Sequence, residues 1–72
     1  MITLDISLFE RETGFNLEQD MSFYDEDYGN NRYKILNDMS LIEIGARLTA
    51  FNEKYGRKLV PEVKENNVYI YL

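Results

Sequence analysis

The chain has 72 residues with no cysteine and no histidine, which excludes a disulfide framework, thiol or imidazole catalysis and the usual zinc ligand sets. One small domain is expected, residues 1–72, able to bury only about 60% of its unfolded surface; 44% apolar and 14% aromatic residues are enough for a folded core. Thirteen acidic against eight basic residues give a net charge of -5 and a pI near 4.5, so the chain is repelled by nucleic acid and anionic membranes and drawn to basic protein surfaces.

Met1–Asp5 has neither a basic region nor an apolar run of leader length, and no stretch approaches the ~18 apolar residues that cross a bilayer. The expectation is a cytoplasmic protein without membrane contact. Ile2, Leu4 and Ile6 alternate with Thr3 and Asp5, the period of a half-buried strand. Ser7-Leu8-Phe9-Glu10 has the spacing of a capping box and predicts a short helix, Leu8–Thr13, ended by Gly14. The two readings compete for residues 6–8.

Residues 15–31 carry no helical period. Met21–Tyr24 reads as a strand, Gly29-Asn30-Asn31 as a turn and Arg32–Leu36 as a second strand, which predicts a hairpin of 21–28 with 32–36. Ser40-Leu41-Ile42-Glu43 is a second capping box, with Asp38 before it at the positive helix end. Leu41, Ile44, Leu48, Phe51 and Tyr55 then form one apolar stripe, so a helix is expected over Leu41–Tyr55, closed by Gly56. A second hairpin follows, Lys58–Lys64 with Val68–Leu72 around Glu65-Asn66-Asn67. Pro61 marks its first strand as an edge. Val68, Ile70 and Leu72 face one way, Tyr69 and Tyr71 the other. A strand bulky on both faces is central or buried against a second subunit, so a homodimer is expected. The fold class is α+β: one main amphipathic helix on a small antiparallel sheet, with a short N-terminal helix.

Catalytic chemistry is poorly provided for. The serines, Ser7, Ser22 and Ser40, have no histidine to serve as base, and no glycine-rich phosphate loop occurs. Asp25-Glu26-Asp27-Tyr28-Gly29 brushes against a calcium loop, but its glycine stands at position 5 and Leu36 at position 12. No enzyme, cofactor or metal is expected.

Charge is concentrated in the first half. Residues 1–30 hold eight acids and one base, a net -7, and residues 31–72 hold five acids and seven bases, a net +2. The acids are densest from Glu18 to Asp27 and are interleaved with Met21, Phe23, Tyr24 and Tyr28. A loop that only confers solubility has no need of those side chains, whereas a partly apolar binding patch does. Same-face residues on a strand lie about 6.8 Å apart, comparable to neighbouring backbone phosphates. Asp25 and Asp27 meet that spacing where their segment is extended, and Glu18, Asp20, Asp25, Glu26 and Asp27 are read as phosphate mimics, with Tyr24 and Tyr28 adding contact area.

Asp5-Ile6-Ser7-Leu8-Phe9 resembles the motif, usually Gln-Leu-Ser/Asp-Leu-Phe, by which bacterial polymerases and repair proteins dock on the replication sliding clamp. Ser7, Leu8 and Phe9 match, Ile6 stands for Leu, and Asp5 replaces Gln. On this resemblance Leu8 and Phe9 would be anchors in an apolar pocket; otherwise they are core. Leu8–Leu17 is similar to the N-terminal helix and turn of the phage uracil-DNA glycosylase inhibitor, an acidic DNA mimic, through Glu10, Glu12, Thr13, Gly14 and Leu17. Size, acidity and the Ser7-Leu8-Phe9 run resemble the staphylococcal-phage sliding-clamp inhibitors. Membership would imply no catalysis, a basic DNA-binding host protein as partner, and obstruction of its DNA channel from the host cytoplasm. Two alternatives stay open: a DNA mimic aimed at another nucleic-acid enzyme, such as uracil-DNA glycosylase or a CRISPR nuclease, and an adaptor or antitoxin-like module that binds protein without mimicry.

Overall fold

The computed structural model describes residues 5–25 and 30–72, with backbone alone at 24, 25 and 30. In chain order the elements are α1 (Ile6–Thr13), β1 (Leu17–Asp25), β2 (Asn30–Ile35), α2 (Leu41–Tyr55), β3 (Glu62–Lys64) and β4 (Asn67–Tyr71). The strands form an antiparallel sheet in the order β1-β2-β4-β3. Two hairpins thus meet through their inner strands β2 and β4, and α2 connects one hairpin to the other. The protein is α+β, with a main helix and a short N-terminal one.

Helix α1 starts earlier than the Ser7 box predicts. Asp5 is its N-cap, and the Asp5 carboxylate accepts from the Ser7 and Leu8 amides at 2.9 and 3.4 Å. A carboxylate caps at least as well as a hydroxyl and also favours the positive helix end. Ile6 is therefore helical, not the end of a strand, and the rest of that predicted strand, Ile2 and Leu4, lies outside the described residues. Glu10, released from the predicted box, accepts from the Leu17 amide at 3.0 Å and fastens the start of β1 to the helix. Gly14 closes α1 at φ 78°, donating its N–H to the Glu10 carbonyl.

Helix α2 matches its predicted bounds, from the Ser40 cap, whose hydroxyl accepts from the Glu43 amide at 3.1 Å, to Gly56. Glu43 does not complete the box; its carboxylate binds Arg47 one turn on, at 2.9 Å. The middle of the stripe, Ile44, Leu48 and Phe51, is buried, whereas Leu41 is 51% exposed. These three join Phe9, Phe15, Ile35 and Ile70 in the core. Tyr33 pairs with Ile70, and Ile35 lies two residues on, so Ile35 and Ile70 share the sheet face that meets the helices. Each such side chain contributes about 1.5–3 kcal/mol by burial. Thr13 is buried with them, its hydroxyl donating to the Phe9 carbonyl and accepting from the Phe15 amide.

Asparagine side chains fasten two of the links. Asn52 accepts from the Leu59 amide and donates to its carbonyl, at 3.0 and 2.8 Å. Asn37 does the same between the Asn16 amide and the Gly14 carbonyl. In the second hairpin β3 is shorter than predicted, Glu62–Lys64, and is an edge, with Pro61 just before it. Its turn is Glu65-Asn66, both at positive φ, the two-residue geometry that matches strand twist; Asn67 already belongs to β4. Strand β4 is central, between β2 and β3.

Glycine substitutions should differ in sign. Gly14→Ala puts a Cβ 2.6 Å from the Arg47 guanidinium at positive φ and is expected to cost about 1 kcal/mol or more. Gly45→Ala, inside α2 with no atom within 4 Å, is expected to stabilise by about 0.5–1 kcal/mol. Urea denaturation of both variants checks this.

Candidate functional site

The acidic segment is strand for longer than its sequence suggests. Residues Leu17–Gln19 pair with Tyr33–Ile35, then the register shifts, and Tyr24 and Asp25 pair with Asn31 and Asn30. The predicted hairpin therefore begins at Leu17 rather than Met21, and Asn30 and Asn31 belong to a strand rather than a turn. Asn31 also exchanges both backbone hydrogen bonds with Leu72, at 2.9 Å each. The extended strand over 30–35 occupies the second half of the calcium-loop register. Among the described residues no three acidic side chains converge as metal ligands.

Between the two paired stretches, residues 20–23 of β1 stand against Arg32 alone. Arg32 lies on the sheet face away from the helices, since its partner Tyr71 alternates with Ile70. Its guanidinium donates from Nε and Nη2 to the Asp20 carboxylate, the Nε contact being 2.9 Å. It also lies 4.7 Å from the ring centres of both Phe23 and Tyr69. Phe23 in turn meets Tyr71 edge to face at 5.3 Å. Asp20 further accepts from the amide and hydroxyl of Ser22. Those Ser22 bonds, with Arg32, hold the Asp20 carboxyl down to about 2. The side chains of Arg32 and Asp20 are only 14% and 21% exposed.

The other predicted site residues have separate fates. Phe9 is fully buried, edge to face with Phe51 at 4.8 Å, and Leu8 is half-buried. The reading of Phe9 as a docking anchor is thereby corrected: a core this small needs the ring, and the ring is not offered to a partner. Asp20 is spent on Arg32 and Ser22 instead of standing free as a phosphate mimic. Glu18 is exposed, directly across the ladder from Lys34. Tyr24 and Asp25 end β1; Glu26, Asp27 and Tyr28 lie outside the described residues. Glu12 bonds Lys54 and the Tyr55 hydroxyl, at 3.0 Å each, and these partners, Lys54 first, hold its carboxyl below the ordinary range. Tyr69 and Tyr71, the basis for expecting a second subunit, are half-buried within the chain, and the Tyr71 hydroxyl donates to Glu62 at 2.7 Å.

A groove of about 380 Å³ opens beside the clasp, lined by Glu18, Gln19, Asp20, Met21, Lys34 and Tyr69. Met21 at its rim is 82% exposed. Among the described residues no helix is long and apolar enough to cross a membrane. Compared with known proteins, the chain matches no family model, no curated protein and no solved structure.

Two outcomes follow from this geometry. Asp20 titrates lower in the folded chain than its ordinary 3.8, so its contribution is complete above about pH 4 and is lost as pH falls through about 2. Asp20→Asn should lower the urea midpoint at pH 5 and flatten its decline between pH 4 and 2. Phe9→Ala should cost about 3–5 kcal/mol of stability, the value for a core phenylalanine, as read by thermal or urea melting.

Proposed function

We propose that the protein is a non-enzymatic inhibitor that binds the basic DNA-contacting surface of another protein through the acidic end of its first hairpin. The observation that carries this reading is the net -7 of residues 1–30, with Glu18, Asp20 and Asp25 borne on strand β1. Glu10, Glu12 and Asp20 are engaged by the chain's own groups. The mimicking set is then Glu18 and, on the sequence alone, the consecutive run Asp25-Glu26-Asp27. Carboxylates there attract a lysine- and arginine-lined channel at long range, speed encounter and lose strength in salt. The bacterial sliding clamp remains the first partner to test, now on its DNA channel alone, because the buried Phe9 withdraws support from the docking motif.

A second reading, a protein-binding adaptor without mimicry, is favoured by the groove on the outer sheet face. Exposed Met21 beside Tyr69 and Lys34 has the mixed character of a wet protein contact.

Surface-immobilised sliding clamp, titrated with the protein at 50 and 300 mM salt, separates the readings. Mimicry predicts salt-weakened binding that falls at least tenfold when Asp25, Glu26 and Asp27 are all changed to Lys. Binding that ignores both salt and charge reversal but is lost in Met21→Asp supports the adaptor. No binding by the unsubstituted protein eliminates the clamp as partner.

A further inference from the structure

Four residues of β1 against one of β2 is a large interruption. The pairing that resumes beyond it spans only Tyr24–Asp25 with Asn30–Asn31, and so short a ladder does not hold itself in water. Something must return the strand to register. The geometry points to Arg32. It is the residue opposite the excursion, and it grips both ends: Asp20 at the beginning through two N–H donors, Phe23 at the end through a cation–π contact. Its own position is fixed by β4, where the Tyr69 ring also lies 4.7 Å from the guanidinium and Tyr71 supports Phe23. The planar group is required, since it brings Nε and Nη2 together onto Oδ2 of Asp20 while its central carbon stays 4.7 Å from both ring centres, an arrangement that the compact ammonium of lysine does not reproduce.

We infer that Arg32 is the positioning residue of the first hairpin: a largely buried cation that holds the Tyr24–Asp25 backbone in register with Asn30–Asn31 and so places Asp25, the first acid of the sequence Asp25-Glu26-Asp27, for a basic partner. The partner half of this inference rests on the function proposed above; the positioning half does not. Pre-organisation of this kind reduces the ordering needed on binding and appears mainly in dissociation rates.

Arg32→Lys keeps the net charge at -5 while removing the planar guanidinium. Amide hydrogen exchange on the whole chain is the first measurement. The expected result is at least a tenfold loss of protection at Asp25 and Asn30 in Arg32→Lys, with Ile35, Ile70 and the α2 amides unchanged. Unchanged exchange at Asp25 and Asn30 overturns the positioning role. A uniform loss across the sheet overturns it equally, because Arg32 would then be a general stabiliser. Binding to immobilised sliding clamp is the second measurement. Arg32→Lys should leave the association rate and salt slope unaltered and raise the dissociation rate at least threefold. A lowered association rate, or kinetics identical to the unsubstituted protein, overturns the link from positioning to recognition. Failure of the unsubstituted protein to bind counts against the clamp as partner, while exchange alone then decides the role of Arg32.

Discussion

Phe9 of α1 and Phe51 of α2 meet edge to face at 4.8 Å, with the Phe15 ring centre 6.0 Å from that of Phe9. In a chain that buries so little, these three rings supply much of the interior, and the placement of both helices follows from them. The short helix cannot shift without emptying the core, and the sheet is aligned by the two residues, Ile35 and Ile70, that face the rings. This constraint also decides a question of function. A phenylalanine held at the centre of the molecule cannot double as the tip of a linear docking motif, however well the surrounding letters match.

The strength of α2 as a reading came from agreement among independent signals: Ser40, the apolar stripe and Gly56 all place the same helix. Where two local solutions were nearly equal in energy, as with Asp5 and Ser7 as caps, spacing could not choose. The choice was made by the ring that each start brings inward. Strand β1 was harder to see. Its first half, Glu18-Gln19-Asp20, has neither alternation nor strand preference, and its middle leaves the ladder, so no period of two survives. That strand exists because β2 is already held by β4, which is a long-range cause.

The acidic character was plain in the composition, but its direction was not. Whether a carboxylate faces a partner or its own chain depends on cations distant in sequence: Arg32 for Asp20, Lys54 for Glu12. The clasps made by Asn37 and Asn52 were hidden for the same reason, since an asparagine whose amide accepts from one backbone N–H and donates to one backbone carbonyl looks like any polar loop residue. The only hint of the Arg32 arrangement was an arginine in a strand pattern, facing a segment rich in aromatics and acids. With the self-bound acids set aside, fewer carboxylates are open to a partner than a count of Asp and Glu implies.

The borders of the sheet have a separate significance. One outer strand, β3, is three residues long, follows a proline and bears Glu62 and Lys64; the other, β1, is broken midway by its four-residue excursion. Neither offers a long, straight row of free amides and carbonyls onto which a foreign chain could add. A protein with six tyrosines and four phenylalanines in 72 residues is thereby guarded against fibrillar stacking at both rims, and its apolar contacts with other molecules are directed to its faces.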